Sequence, residues 1–176
     1  MSPPTSSDLS SPAMSSFLSQ ASAALSPTSP IILKDMFRFG EPSPTLANTL
    51  LRLAISGHKT ATTSWPVPSP LYWGVGDYSI ILDGDNNPGA LMRTTEMTTC
   101  MFKDVQDDFA LAEGEGTVED YKQGHREFYH RQWERDEKSY QSFGEDSEVL
   151  CERFEVVYVR EDLQQGAQVG AKGAAR

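Results

Sequence analysis

The residue pattern predicts an α+β fold: a small, mostly antiparallel β-barrel with flanking helices. Three observations point there. Strand-like stretches are bounded by clusters of Gly, Pro, Asn and Asp, the residues that tight turns require. Helical runs gather in blocks between those stretches and no β-α-β unit repeats, so a doubly wound parallel sheet fits poorly. The 176 residues suffice for one domain with a real core and are too few for two comfortable ones.

Composition narrows the class. With 38% hydrophobic and 23% charged residues the chain reads as an ordinary globular protein. No apolar run approaches the roughly 18–20 residues that span a bilayer, so no membrane partner is expected. Cys100 and Cys151 stand far apart, without CxxC spacing or a histidine cluster. They read as reduced thiols buried in strands, not as a disulfide framework or a zinc site. No metal and no cofactor are expected, and the location is read as intracellular, cytoplasmic with a nuclear one left open. A net charge of −10 and a pI near 4.7 oppose tight, non-specific binding to a long nucleic-acid backbone, which needs a basic surface. A small nucleoside, or a short strand in a locally basic pocket, stays compatible.

Residues 1–30 are rich in Ser, Pro and Ala, with Asp8 their one charged residue. Such a composition buries too little apolar surface to offset chain entropy, so the segment is expected to be disordered. Without arginines or a basic region ahead of an apolar core, it makes a poor targeting signal. The domain is placed at residues 31–162, followed by a flexible tail over 163–176. Phe37-Arg38-Phe39-Gly40-Glu41-Pro42 reads as an ordered entry loop. Ser43 or Thr45 can cap the next helix, in which Leu46, Leu50, Leu53 and Ala54 share helical spacing and a core-facing side. Pro66, Pro68 and Pro70 mark a loop. Gly74-Val75-Gly76-Asp77 turns into a strand, Tyr78 to Leu82. Asp83 to Gly89 forms a hairpin loop into a long strand, Ala90 to Met101; the closing glutamate of a calcium loop is missing, so turn chemistry explains its aspartates. A short acidic helix runs from Val105 to Ala112. Thr117 with Asp120 three residues on has capping-box spacing for a second helix, which carries Tyr121, His125, Phe128 and Gln132 along one side. The last strand, Val149 to Val159, is expected to face the core with Glu152, Phe154, Val156 and Tyr158.

The chain is organised around Gly57-His58-Lys59-Thr60-Ala61-Thr62-Thr63, where a helix stops and a β-prone run begins. A lysine and a hydroxyl three residues apart at such a corner are the best candidates for chemistry. The plainer alternative is a helix-stop glycine, a solvated cation and ordinary strand threonines.

These residues resemble the ASCH domains, relatives of the PUA-like RNA-binding barrels. Gly57 to Thr62 matches their GxKxxT signature. The supporting pieces occur in order: Phe39-Gly40, Gly76-Asp77, Asp83-Gly84-Asp85, Arg93-Thr94-Thr95-Glu96, Phe109-Ala110 leading to Glu113-Gly114-Glu115-Gly116, and Cys151-Glu152-Arg153-Phe154. Together they span Phe37 to Arg160. The resemblance implies a barrel-like sheet of about six strands, with a cleft beside the GxKxxT corner that takes RNA or a nucleoside. It also implies a hydrolase of amidohydrolase or ribonuclease type, since some relatives hydrolyse N4-acetylcytidine and another is reported to cleave RNA. By the same resemblance Lys59, Thr62 and Glu113 are the catalytic residues. The amidohydrolase branch carries an arginine soon after the threonine, where this chain has Ser64-Trp65-Pro66.

Amide hydrolysis needs a nucleophile, a proton acceptor and a group that steadies the oxyanion. Thr62 offers the hydroxyl, and Lys59 accepts its proton if burial lowers the amine from its usual pKa of about 10.4. An ionised Glu113 close by opposes that lowering. Either Glu113 stands off and orients the substrate, or Lys59 stays charged and acts as an electrostatic clamp. Side chains three apart on a regular strand point to opposite faces, so Lys59 and Thr62 converge only if the chain bends near Thr60. Thr60, Ser64, Trp65 and Arg93 are candidate substrate-binding residues, and His125 is a weaker one. Trp65, Tyr72 and Trp73 offer stacking surfaces for a base, or else form a satellite hydrophobic cluster. The alternatives to an enzyme are a non-catalytic RNA-binding module, with Lys59 on phosphate, and a protein-interaction domain.

Overall fold

The structure is a computed structural model that describes residues 11–27, 30–138 and 140–164. Helix α1 (Pro12–Leu25) begins where Ser11 accepts a hydrogen bond from the Met14 N–H and Pro12 occupies the first turn, a position whose N–H has no helical partner. Its Met14, Phe17 and Ala21 are buried with Ile80 and Leu91 of the sheet. Disorder was expected across residues 1–30, and α1 corrects it for this stretch. Apolar residues at helical spacing, diluted by Ser and Ala, find a surface to cover, and burial offsets the ordering cost. The rest of that expectation lies outside the described residues at 1–10 and 28–29, and the expected tail lies outside them from residue 165 onward.

Five strands follow among the described residues: β1 (Leu33–Phe37), β2 (Ala61–Ser64), β3 (Tyr78–Leu82), β4 (Pro88–Met101) and β5 (Glu148–Val159). They form one mixed sheet in the order β1-β3-β4-β5-β2. β1 pairs with β3 in parallel and every other pairing is antiparallel. The α+β class is as expected, whereas the barrel of about six strands is corrected to an open sheet whose edge strands, β1 and β2, do not pair. The hairpin between β3 and β4 closes by turn chemistry: Asp83 Oδ1 accepts the N–H groups of Asp85 and Asn87. Register shifts in the β4–β5 pairing, at Leu91/Met92 and Thr94/Glu96, bend the long ribbon in the way that bulges do.

Helix α2 (Pro44–Ile55) is capped by Ser43, as the sequence suggested. Its buried stripe is Ala47, Leu50, Leu51 and Ala54, and Leu46, expected in the core, is exposed. Leu50 and Ala54 are common to both sets, Ala47 and Leu51 take the places expected for Leu46 and Leu53, and Leu53 is partly buried. After a 3₁₀ turn (Phe102–Asp104) comes α3 (Asp107–Ala112), shorter at its start than expected. Helix α4 (Val118–Arg135) opens on the full Thr117–Asp120 capping box. Strand β5 is buried on both faces: Phe154 joins α2, while Val149 and Cys151, the latter buried in a strand as expected, join Phe102, Tyr121 and Tyr129 under α4. The thiols of Cys100 and Cys151 are free and lie 3.8 Å apart across β4 and β5. Among the described residues no helix is long and apolar enough to cross a membrane.

Because Phe17 is the one buried aromatic ring of α1, Phe17→Ala is expected to cost about 3 kcal/mol, the lower end for a buried aromatic. A lowered urea midpoint, with faster amide exchange confined first to α1, is the check.

A buried lysine–glutamate pair in the candidate active site

The corner after α2 is built by backbone geometry. Gly57 takes φ +77°, the left-handed conformation that ends a helix without a Cβ clash. The N–H groups of His58 and Lys59 both turn back to the Leu53 carbonyl, at 2.9 and 3.0 Å. Thr60 is then held on both sides. Its N–H donates to the Ala112 carbonyl at 2.8 Å and its carbonyl accepts the Phe154 N–H at 2.9 Å, so the end of α3 and strand β5 grip the bend. Gly114 completes the contact: it too has positive φ, and a Cβ there would lie 2.5 Å from the His58 carbonyl oxygen.

This grip carries Glu113 onto Lys59, and both are about 1% exposed. The three ammonium protons of Lys59 face three acceptors: the Glu113 carboxylate, the Glu113 carbonyl at 3.3 Å and Glu115 Oε1 at 3.2 Å. The ammonium also sits 4.9 Å from the centre of the Phe39 ring. On its other oxygen Glu113 accepts the Thr63 hydroxyl at 2.6 Å. Thr63 in turn lies 2.8 Å from the Tyr121 hydroxyl, and its carbonyl accepts the Tyr129 hydroxyl at 2.8 Å. His125 Nε2 stands 3.5 Å from Glu113. Its Nδ1 is 2.9 Å from the Tyr121 carbonyl.

The charge states follow. Burial by itself raises the Glu113 carboxyl, but the Lys59 cation, with hydrogen bonds from His125 and Lys59, outweighs it and holds the group down at about 2. Burial by itself lowers the Lys59 amine, but Glu113 and Glu115 outweigh that and hold it above its ordinary value. A lysine made neutral by burial is therefore corrected to a charged one. Of the two arrangements left open by the sequence, the structure adopts the one with Glu113 in contact and Lys59 cationic. The solvated-cation alternative is likewise corrected, because Lys59 has no solvated face.

Beside this pair lies a cleft with two lobes. The smaller, about 210 Å³, is lined among others by Phe39, Lys59, Thr62, Glu113, His125 and Phe128. The larger, about 400 Å³, is lined among others by Asp35, Arg38, Thr62, Ser64, Trp65 and Arg135. Thr62 and Thr63 form part of the wall common to both lobes. The structure thus brings Lys59, Thr62 and Glu113 to one small lobe. Thr62 makes no side-chain hydrogen bond within the described residues, while its neighbour Thr63 is locked to Glu113. Strand alternation separates the two: Ala61 and Thr63 point into the core, and Thr62 and Ser64 point to the cleft.

Other candidates divide. Ser64 lines the larger lobe. Trp65 borders it too, but its ring is already packed against Tyr129, Tyr140 and Phe143. Thr60 lines neither lobe; its backbone holds the corner. Arg93 lines neither lobe and is exposed, paired with Glu155 at 2.8 Å. Tyr72 and Trp73 form the satellite cluster, with the Trp73 indole donating to Glu152 at 3.3 Å. The residues the sequence reading missed are Thr63, Tyr129 and Glu115. Tyr121, His125 and Tyr129, each four apart on α4, were the signal for the first two. Among the described residues no group of three or more His, Cys, Asp or Glu side chains could hold a metal ion.

Removing one partner of a buried pair strands the other charge, so Lys59→Met or Glu113→Gln is expected to cost about 3–5 kcal/mol by urea unfolding, with much of it recovered in Lys59→Met/Glu113→Leu. The depressed carboxyl contributes stability that is fully present above its ordinary value of 4.5 and is lost as pH falls toward about 2. The raised amine contributes stability present below 10.5 and lost as pH rises through its folded value. Acid unfolding of wild type should therefore be steeper below pH 4.5 than that of Glu113→Gln.

With the corner, the pair and the cleft in view, comparison with known proteins is direct. The ASCH domain family model matches residues 35–158. The crystal structure of an ASCH domain from Lactobacillus crispatus is similar, with TM-score 0.67 and 26% identity over 82% of this chain and 91% of that one. A crystal structure of an Enterococcus faecalis protein of the family DUF984 is similar as well, with TM-score 0.71 and 28% identity over 84% and 94% of the two chains. No curated protein matches the sequence. The match runs from β1 almost to the end of β5 and includes every residue of the Lys59–Glu113 site, and the chain belongs to the ASCH domain family.

Proposed function

We propose that the cleft binds a nucleoside and hydrolyses an amide on its base, of the N4-acetylcytidine kind. One observation carries this reading. Three groups of the types amide hydrolysis needs share one small lobe, and the hydroxyl among them, Thr62, has no other side-chain task. Thr62 Oγ1 attacks the amide carbonyl carbon. Its proton passes to the Lys59–Glu113 pair, Lys59 receiving it as one of its own protons moves to Glu113. The same pair returns a proton to the departing amine as the C–N bond breaks. With its protons committed to Glu113 and Glu115, Lys59 steadies the developing oxyanion by its charge through space and not by a hydrogen bond. Water then hydrolyses the acyl-threonine and restores the hydroxyl. The smaller lobe takes the acyl group and the larger the nucleoside, whose typical pocket volume of about 300–1,000 Å³ includes the 400 Å³ available there.

Binding of a short RNA is the second reading. Arg131 and Arg135 border the two lobes from α4 and supply the local cations. Lys59 has no proton left for a phosphate, so this reading rests on the arginines alone. Steep weakening of RNA affinity with rising salt, reduced in Arg131→Ala/Arg135→Ala, is its signature.

Chromatographic turnover of N4-acetylcytidine is the decisive assay. Thr62→Ala is expected to lower kcat/KM by at least about a hundredfold, and Thr62→Ser to retain most of it. Thr62→Ala with wild-type turnover would remove the nucleophile assignment. A wild type without turnover would remove the amide substrate.

A further inference from the structure

The smaller lobe accounts for Lys59, Thr62 and Glu113 and leaves the larger lobe's own polar groups unassigned. Asp35 stands out there. It lies in β1, at the sheet edge opposite β2, and faces the larger lobe while only 4% exposed. A buried carboxyl normally has a cation or several donors around it. Asp35 has only two donors, Met36 and Tyr72. The first is a local contact, accepted by Oδ1 from the N–H of the next residue at 2.9 Å, which leaves most of the carboxylate's acceptor sites open. Within the described residues it has no ion-pair partner.

The groups facing it supply what is missing only in part. Burial first, then the charge of Asp35 and a hydrogen-bonding contact with it, push the phenol of Tyr72, from the loop after β2, up to about 12. The buried Tyr72 hydroxyl nevertheless forms no well-aligned hydrogen bond, so it is a weak donor to Asp35. Glu152, on β5, is a second buried carboxyl. Burial and the charge of Asp35 raise it, while Thr94 and Trp73 donate to it. Around the rest of the lobe, Arg38 bonds the Gly84 carbonyl at 3.2 Å and lies near Glu41, and Arg135 lies near Asp136. The cations on this wall thus face acidic or carbonyl groups, although Arg38 Nε itself forms no hydrogen bond, whereas the buried acid has only Met36 and Tyr72 as donors. Burial accordingly raises Asp35 to about 6.

We propose that Asp35 is a ligand-recognition residue of the larger lobe, accepting a hydrogen bond from an N–H or O–H of the bound nucleoside. The proposal rests on the nucleoside reading above and does not depend on hydrolysis. Hydrogen-bond donors on a nucleoside come from the base or from the ribose, and both belong to the same chemistry of a donor meeting a carboxylate. Because such a donor favours the ionised form, binding must release the proton that Asp35 holds below its free value. Affinity then rises with pH through about 6 and levels off above it.

Isothermal titration of the full chain with cytidine, which has no amide to lose, tests this at pH 5 and pH 7.5. Wild type is expected to bind about tenfold more tightly at the higher pH, the factor that follows from a group of pKa about 6 that must be ionised. Asp35→Asn is expected to bind more weakly at pH 7.5 and to show no such step, which a merely structural aspartate would not produce. Repeating the titration with free cytosine separates the sources: a step kept with cytosine assigns the donor to the base, and a step seen only with cytidine assigns it to the ribose. A wild type without the step, a step that survives in Asp35→Asn, or no cytidine binding at millimolar concentration would each overturn the proposal. Should cytidine bind with the step while N4-acetylcytidine is not turned over, the hydrolase reading fails and the role of Asp35 stands.

Discussion

The buried contact between Lys59 and Glu113 is the constraint on which the site depends. Two charges withdrawn from water recover their desolvation cost only if geometry and further hydrogen bonds are good. The fold supplies both. The end of α3 presses on the corner after α2 at Gly114, and Thr60 is pinned between Ala112 and Phe154. Around the pair, Thr63, Tyr121, Tyr129 and His125 tie β2 to α4. A network of this kind is stabilising only when every member is satisfied. Each proton of the Lys59 ammonium and both Glu113 carboxylate oxygens have partners.

That saturation assigns different tasks to neighbouring threonines. Thr63 belongs to the architecture, its hydroxyl committed to a carboxylate and its carbonyl to Tyr129. Thr62, one residue earlier and on the other face, looks into the cleft with its hydroxyl uncommitted. A strand turns its side chains through half a circle per residue, so a single step along β2 separates a structural hydroxyl from one available for chemistry. The open sheet serves the same end. Because β1 and β2 do not pair, the space between their ends stays open as the larger lobe, with Asp35 and Arg38 from one edge facing Thr62 and Ser64 from the other.

The acidic balance of the protein extends into the cleft. Lys59, Arg38, Arg131 and Arg135 line its two lobes, but Glu113, Glu115, Glu127, Asp35, Glu41 and Asp136 line them too. A surface so balanced exerts little long-range pull on a polyanion. The nucleoside reading proposed above calls instead on individual hydrogen bonds in a partly desolvated space.

Much of this was legible before any coordinates. The Ser43 cap, the Thr117–Asp120 box, the glycine stop at Gly57, the hairpin at Asp83 and the bounds of β3 all follow from local rules, since each depends on residues within a few positions of one another. What the local pattern could not decide was the charge on Lys59, the partner of Thr63, the burial of Asp35 or the docking of α1. Lys59 and Glu113 are 54 residues apart, and the protonation of such a pair reflects the balance of desolvation against Coulomb attraction at a distance only the folded chain sets. Likewise α1 is helical because Ile80 and Leu91 are there to be covered. Sequence determined the backbone's local turns and which residue types meet at the corner; tertiary structure decided which are buried, which are paired and which hydroxyl is free, because those depend on solvent exclusion and long-range contact.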